Sequence, residues 1–100
     1  MTEEDTAIYV GKKDLGRYVN AIEYRLNEDD DVTIKARRTN IRKCVDAVEI
    51  AKREHDVEVE YIDIGTDKGV NEDTGEEYKV SYIEINVSGD VELELEDDDE

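Results

Sequence analysis

Twice in the first half of this 100-residue chain, a short apolar strand pattern runs into basic residues that open a helix pattern. The first stretch is Ile8-Tyr9-Val10-Gly11-Lys12-Lys13. The second is Lys35-Ala36-Arg37-Arg38-Thr39-Asn40-Ile41-Arg42-Lys43-Cys44-Val45-Asp46. Strand followed by helix, repeated, demands a layered packing of sheet and helices, with the cations gathered at the turns between them. In a chain of formal net charge −17, cations kept at two such turns point to an anionic target.

The remaining pattern fills in the order. Residues 7–10 read as a strand closed by Gly11. Over 14–27, Leu15, Val19, Ile22 and Leu26 fall on one helical face, with Asp14 near the positive end of the dipole. Asn27 and Glu28-Asp29-Asp30-Asp31 end that helix. Residues 32–37 alternate, Val32, Ile34 and Ala36 against Thr33, Lys35 and Arg37. Thr39 or Asn40 can cap a second helix over 40–54. Its apolar stripe is Ile41, Cys44, Val45, Val48 and Ala51, with Lys52 and Arg53 at the end the dipole prefers.

The third and fourth strands read as 57–64 and 78–87, and both change phase midway. Val57, Val59 and Tyr61 give way to Ile62 and Ile64; Val80 and Tyr82 give way to Ile83, Ile85 and Val87. A strand that swaps its apolar face has a bulge, or is covered on different sides at its two ends, as in a long hairpin projecting from its core. Between them, 65–77 contains Gly69, Asn71, Asp73 and Gly75, which suits a mobile tip. The expectation is an α+β fold of order β-α-β-α-β-β. It has a four-stranded mixed sheet, two helices on one face, and a long hairpin arm made by the last two strands.

One domain over 7–88 is expected, between an acidic N-terminal tail of residues 1–6 and an acidic C-terminal tail of residues 89–100. That second tail is expected to be disordered at its end; the alternation from Val91 to Glu96 leaves an edge strand over 91–95 open. At 37% hydrophobic and 43% charged residues the core is modest, and pairing two chains would bury more apolar surface. Cys44 is the only cysteine, which excludes an intrachain disulfide and fits a reducing cytosol. No apolar run approaches the roughly 18 residues of a membrane span. Met1-Thr2-Glu3-Glu4-Asp5 is too acidic for a signal or transit peptide. A cytoplasmic setting follows, with no membrane partner.

The tail from Asp90 holds 8 of the 30 acids, so the body is acidic as well. Such a surface is either that of an ordinary soluble acidic protein or that of a protein working in molar salt. There, carboxylates bind water and cations, and screening removes their mutual repulsion. The second reading is preferred. The cations are one-sided: of 13 Lys and Arg, only Lys68 and Lys79 come after Arg53.

Two adjacent lysines alone carry little weight. At a strand-to-helix turn beside Arg37, Arg38, Arg42 and Lys43, Lys12 and Lys13 make a phosphate cradle. Arg17 is a secondary candidate, read equally well as a surface ion pair. Gly11 serves backbone geometry and lets a phosphate approach closely. His55 has no second His or Cys at ligand spacing and reads as a surface residue, not a metal ligand. Cys44 reads as a small core residue. The acidic runs lack the spacing of a calcium loop. No nucleophile–base set or phosphate-binding glycine loop is present, so neither catalysis, a cofactor nor a small-molecule substrate is expected.

The strand ending Val10-Gly11-Lys12-Lys13, the segment Ile34-Lys35-Ala36-Arg37, the helix Ile41 to Ile50 and Val80-Ser81-Tyr82-Ile83-Glu84-Ile85 together resemble the Alba family, over roughly residues 7–87. Alba proteins are small dimeric nucleic-acid-binding proteins of archaeal chromatin. The resemblance implies the same β-α-β-α-β-β fold and a homodimer whose central surface meets a duplex while two hairpin arms reach along the minor grooves. It implies phosphate contacts by the paired lysines Lys12 and Lys13 and by Arg37, a nucleoid-associated location, and acetylation of Lys12 or Lys13 as a means of weakening phosphate contact.

Departures are visible. Where the family commonly has Arg-Gly-Arg, this chain has Arg37-Arg38-Thr39, with Arg42 and Lys43 nearby to compensate. The tip, Asn71-Glu72-Asp73-Thr74-Gly75-Glu76-Glu77, is acidic where relatives often carry arginines, and acids repel phosphate. His55 stands where relatives often have a phenylalanine in dimer–dimer contacts. The leading expectation is sequence-independent binding of duplex DNA, RNA or both by a homodimer. The alternative is an acidic protein-interaction module whose tail and arm bind a basic partner or occupy the basic cradle.

Overall fold

The computed structural model describes residues 6–93. The elements are β1 (Ile8–Tyr9), α1 (Leu15–Glu28), β2 (Asp31–Arg37), α2 (Asn40–Glu54), β3 (Asp56–Val70) and β4 (Glu77–Asp90). They form one mixed sheet in the order β1-β2-β4-β3, with β1 parallel to β2 and the other pairings antiparallel. The helices pack against each other and on one face of the sheet. Ile34 and Val87 in the sheet, Ile22 of α1 and Cys44 of α2 are sealed completely from solvent.

The helices turn slightly from the expected stripes. In α1, Tyr18 is buried with Val19, Ile22 and Leu26, while Leu15 is half-buried. In α2 the buried set is Cys44, Ala47, Val48 and Ala51, and Val45 faces out. The set 44, 47, 48, 51 is the i, i+3, i+4, i+7 face, whereas Val45 lies one position off it. The expected side-chain cap of α2 does not form. Thr39 already has near-helical torsions, Arg38 takes a left-handed φ of 55°, and the turn closes through the backbone, Ile41 N–H donating to Arg38 O at 3.1 Å.

The third and fourth strands are longer than their sequence pattern. β3 runs through Gly65–Val70 rather than ending at 64, which confines the connection to residues 71–76. That tip carries its own hydrogen bonds. Asn71 Oδ1 accepts from the N–H groups of Asp73 at 2.8 Å and Thr74 at 3.1 Å, and Gly75 takes the positive φ of 77° the turn requires. Strand continues through Gly65 and Gly69 because their missing side chains make room for the rings opposite. A Cβ on Gly65 would lie 2.6 Å from the Tyr82 hydroxyl, and one on Gly69 2.4 Å from that of Tyr78.

The phase change in β3 is a bulge. Val59 pairs with Val87 and Tyr61 with Asn86, leaving Glu60 as the extra residue. β4 changes face as its cover changes: Ile83, Ile85 and Val87 meet the helices, while Val80 is buried further out along the arm. Packing continues past residue 88, since β4 runs to Asp90 and Val91 is buried. Residues 91–93 adopt no regular strand; the remainder of the acidic tail, and residues 1–5, lie outside the described residues.

Candidate functional site

β1 and β2 are parallel, so the turns leaving them, 10–14 and 38–39, sit at one end of the sheet. β2 stops at Arg37, opposite Tyr82, and from that same end the β3–β4 arm carries on alone. The expected basic residues therefore converge on the end from which the arm projects.

The first cluster is built around the turn Gly11–Lys13. The Tyr18 hydroxyl accepts from the Gly11 N–H at 2.8 Å and the Lys13 N–H at 3.2 Å. From α2, the Lys43 ammonium donates to Gly11 O at 3.0 Å and to Lys13 O at 2.7 Å. One side chain thus holds the turn's donors and another its acceptors. Lys12 and Lys13 project from this clamped turn, both exposed, and their side chains form no ion pair among the described residues. Lys43, expected beside them as a phosphate ligand, spends its donors on the backbone and acts here as the residue that positions them.

The second cluster lies at the β2–α2 corner. Arg37 pairs with Asp67 of the arm at 3.1 Å. Arg38 lies over the Tyr78 ring, 5.5 Å from its centroid, and its N–H donates to Ser81 O at 3.0 Å. With Lys68 these residues line a cleft of about 310 Å³. Arg42 is 91% exposed on the first turn of α2 and leans toward Asp46 at 3.7 Å. Arg17 is exposed on α1. Of the six expected cations, Lys12 and Lys13 stand unpaired among the described residues, Arg38 rests on an aromatic ring, and the other three are engaged by carboxylates or carbonyls.

Sequence reasoning missed Tyr18, which sits among apolar residues and reads as core bulk, and the pair Lys68 and Tyr78. A signal for the latter existed: Gly65 and Gly69 are spaced as Tyr78 and Tyr82 are, four apart, as a hairpin with two ring-over-glycine pairs requires.

Elsewhere, His55 is half-buried and its Nε2 lies 2.8 Å from Glu23 Oε2 of α1, tying the two helices together. With Glu54 these side chains place three ligand-capable atoms within 4.8 Å. The carboxylate comes from 32 residues away, at a distance no local motif reveals. Burial pushes the Cys44 thiol up to about 11, which leaves it a protonated core residue at neutral pH. Among the described residues no helix is long and apolar enough to cross a membrane.

The helix-bearing side of the arm is bare. Ile62 and Ile64 share the face of Ile85 and Ile83 by register yet are 57% and 71% exposed, because neither helix reaches them. With Val45 they leave an apolar surface on the side of the molecule opposite the open sheet face.

A family model described as Alba matches residues 6–67. The DNA/RNA-binding protein Alba of Methanocella arvoryzae is 41% identical over 85 residues, covering 82% of this chain and 88% of that protein. Its counterpart in Methanococcus maripaludis is 35% identical over 85 residues, 81% of this chain and 94% of that one. Among solved structures, Alba from Thermoplasma volcanium superposes with a TM-score of 0.74 at 36% identity, over 82% of this chain and 98% of that one. ALBA1 from Trypanosoma brucei superposes with a TM-score of 0.67 at 24% identity, over 89% and 73%, a likeness of fold.

Proposed function

This chain belongs to the Alba family, and from that premise we infer that it binds duplex DNA, RNA or both without sequence preference, as a homodimer. The relatives that share most of its length are DNA/RNA-binding proteins by name. The observation that carries the reading is the clamped turn. Two lysines with no carboxylate partner among the described residues are held out by a backbone fixed from both sides. Lys12 and Lys13 are the primary phosphate ligands, Arg37, Arg38 and Arg42 are secondary, and Lys43 supports the loop. Acetylation of either paired lysine would remove a charge at the point of contact.

Ile62, Ile64 and Val45 support the homodimer, since a second copy is the simplest cover for such a face. Two copies would bring two clamped turns to one ligand. The setting we propose is a high-salt cytoplasm, associated with the nucleoid or with RNA, and it constrains the mechanism. With roughly four phosphates neutralised per dimer, log affinity falls by about 3.6 per decade of salt, so bulk packaging by charge alone weakens there. A more selective DNA-binding or RNA-binding role, held by direct hydrogen bonds to the backbone rather than to particular bases, fits better.

The test is fluorescence anisotropy of labelled duplex DNA and structured RNA of equal length, titrated from about 0.1 to 3 M KCl. Wild-type protein should bind, and Lys12→Glu with Lys13→Glu should abolish binding while leaving the fold intact. Unchanged affinity in that variant sinks the assignment of the site. No binding at any salt where the protein is folded favours an interaction module instead.

A further inference from the structure

The face of the sheet away from the helices is open, and it interleaves aromatic rings with cations. By register Tyr9 of β1, Lys35 and Arg37 of β2, Tyr82 of β4 and Tyr61 of β3 all point to it. Tyr9 and Tyr82 stand on either side of β2, and a cleft of about 470 Å³ lies between them. Lys35 and Arg37 line its floor with Asn40, Glu84 and Asp67. A phosphate there would compete with the carboxylates these cations face, Glu84 at 3.9 Å from Lys35 and Asp67 at 3.1 Å from Arg37. The volume falls in the range of small-ligand sites, about 300–1,000 Å³.

We propose that this cleft holds one unpaired nucleotide of a single strand, with its base against the Tyr9 and Tyr82 rings and its phosphate on Lys35 and Arg37. Both rings line the cleft. Tyr9 is 57% exposed, and the Lys35 ammonium already lies 5.5 Å from its centroid, so its π-face accepts a cation. Tyr82 lies across Gly65, where no side chain can lift it, and its hydroxyl is steered toward Asp63 at 3.4 Å. Asn40 carries both donor and acceptor, which suits the edge of a base; Glu84 already accepts from the Tyr61 hydroxyl at 2.7 Å and lies 3.9 Å from the Lys35 ammonium.

A paired base cannot enter, because its faces are covered by its neighbours in the helix. A strand suits the site better than a free nucleotide, because the 310 Å³ cleft of Arg38 and Lys68 adjoins it through Arg37 and Asp67 and offers a place for the next phosphate. Stacking also answers the salt problem. It does not depend on counterion release, so it persists where phosphate contacts fade. This goes beyond duplex binding, shares Arg37 and Arg38 with it but not the rings, and stands or falls separately on Tyr9 and Tyr82.

The experiment is binding of a labelled, unstructured oligouridylate by the full chain at about 1 M KCl. The expected result is measurable binding that falls about tenfold or more in Tyr9→Ala with Tyr82→Ala. The Tyr9→Phe, Tyr82→Phe variant should retain it, and duplex affinity should be unchanged in both. Lys12→Glu with Lys13→Glu should keep oligouridylate binding while losing the duplex, which separates failure of this site from failure of the loop. No binding by wild type, undiminished binding by the alanine pair, or equal loss in the phenylalanine pair would each overturn the proposal. Competition by uridine monophosphate at equal concentration would overturn its assignment to a strand.

Discussion

The ammonium of Lys43 lies 5.8 Å from the centroid of the Tyr18 ring, and the two side chains grip opposite sides of one three-residue turn. Tyr18 takes its N–H groups and Lys43 its carbonyls. Neither residue need touch a ligand to decide whether Lys12 and Lys13 are presented in a fixed geometry. The site is thus supported by one residue that reads as core and one that reads as surface charge.

Replacing either gripping residue should loosen the turn. Tyr18→Phe removes an acceptor shared by two partly buried N–H groups and should cost about 1 kcal/mol. Lys43→Met keeps the aliphatic stem and should cost about 1 kcal/mol or less, because the ammonium is partly solvated. In both, amide exchange at Gly11 and Lys13 should accelerate and duplex affinity should fall. Because they share the turn, the double variant should be less than additive by thermal melting. Strict additivity would mean they do not act on one element.

Asp67→Asn should release Arg37. The pair is solvent-exposed, so the effect is small in energy, about 0.2–1 kcal/mol, and shows as a few-fold rise in duplex affinity at low salt. The salt dependence should steepen as well, by about 0.9 in slope for each phosphate newly contacted. An unaltered slope would show that Arg37 does not reach the phosphates even when free.

Ile62→Asp with Ile64→Asp should give a monomer by sedimentation equilibrium, with the helices intact by circular dichroism. Both positions are well exposed in the single chain, so the chain should tolerate the change while a dimer does not. Persistence of a dimer would move the interface elsewhere.

Stability should fall on the alkaline side through Cys44. Its thiol is shifted from 9.0 to about 11 by burial, so the folded state holds a proton that the unfolded chain gives up first. The contribution is complete below pH 9 and is lost as pH rises toward 11, about 2 kcal/mol across that window. Cys44→Ala should flatten the pH dependence of melting there, and a folded wild type should resist thiol reagents at neutral pH.

Much of the fold was written in periodicities. The two helical stripes, the alternation of Val32, Ile34 and Ala36, and the existence of a phase change in the third strand each have a local cause, so each is visible locally. The place of that change is not, since the pattern puts it after Tyr61 and the register puts it at Glu60, ahead of Tyr61. The extent of the hairpin was not. Gly65 and Gly69 among acids read as turn residues, and only the tyrosines opposite them, 9 and 17 positions further along the chain, make them strand. The site divides the same way. Lys12 and Lys13 stand out because a turn between strand and helix is a local feature. That Lys43 faces inward, that Asp67 masks Arg37, and that Glu23 meets His55 are facts of tertiary proximity, joining residues about thirty apart.

Glu60 makes the arm a matter of parity. Ahead of it, odd-numbered residues of β3 face the helices; beyond it, even-numbered ones do, which is why Ile62 and Ile64 lie on one side and Tyr61 and Asp63 on the other. Because strand faces alternate with every residue, removing this one glutamate would exchange the two sides of everything out to Val70 without altering any of those side chains. In this arm the number of residues, not their kind, assigns isoleucine to one surface and tyrosine to the other. Length variation at residue 60 would therefore do more harm than most substitutions there.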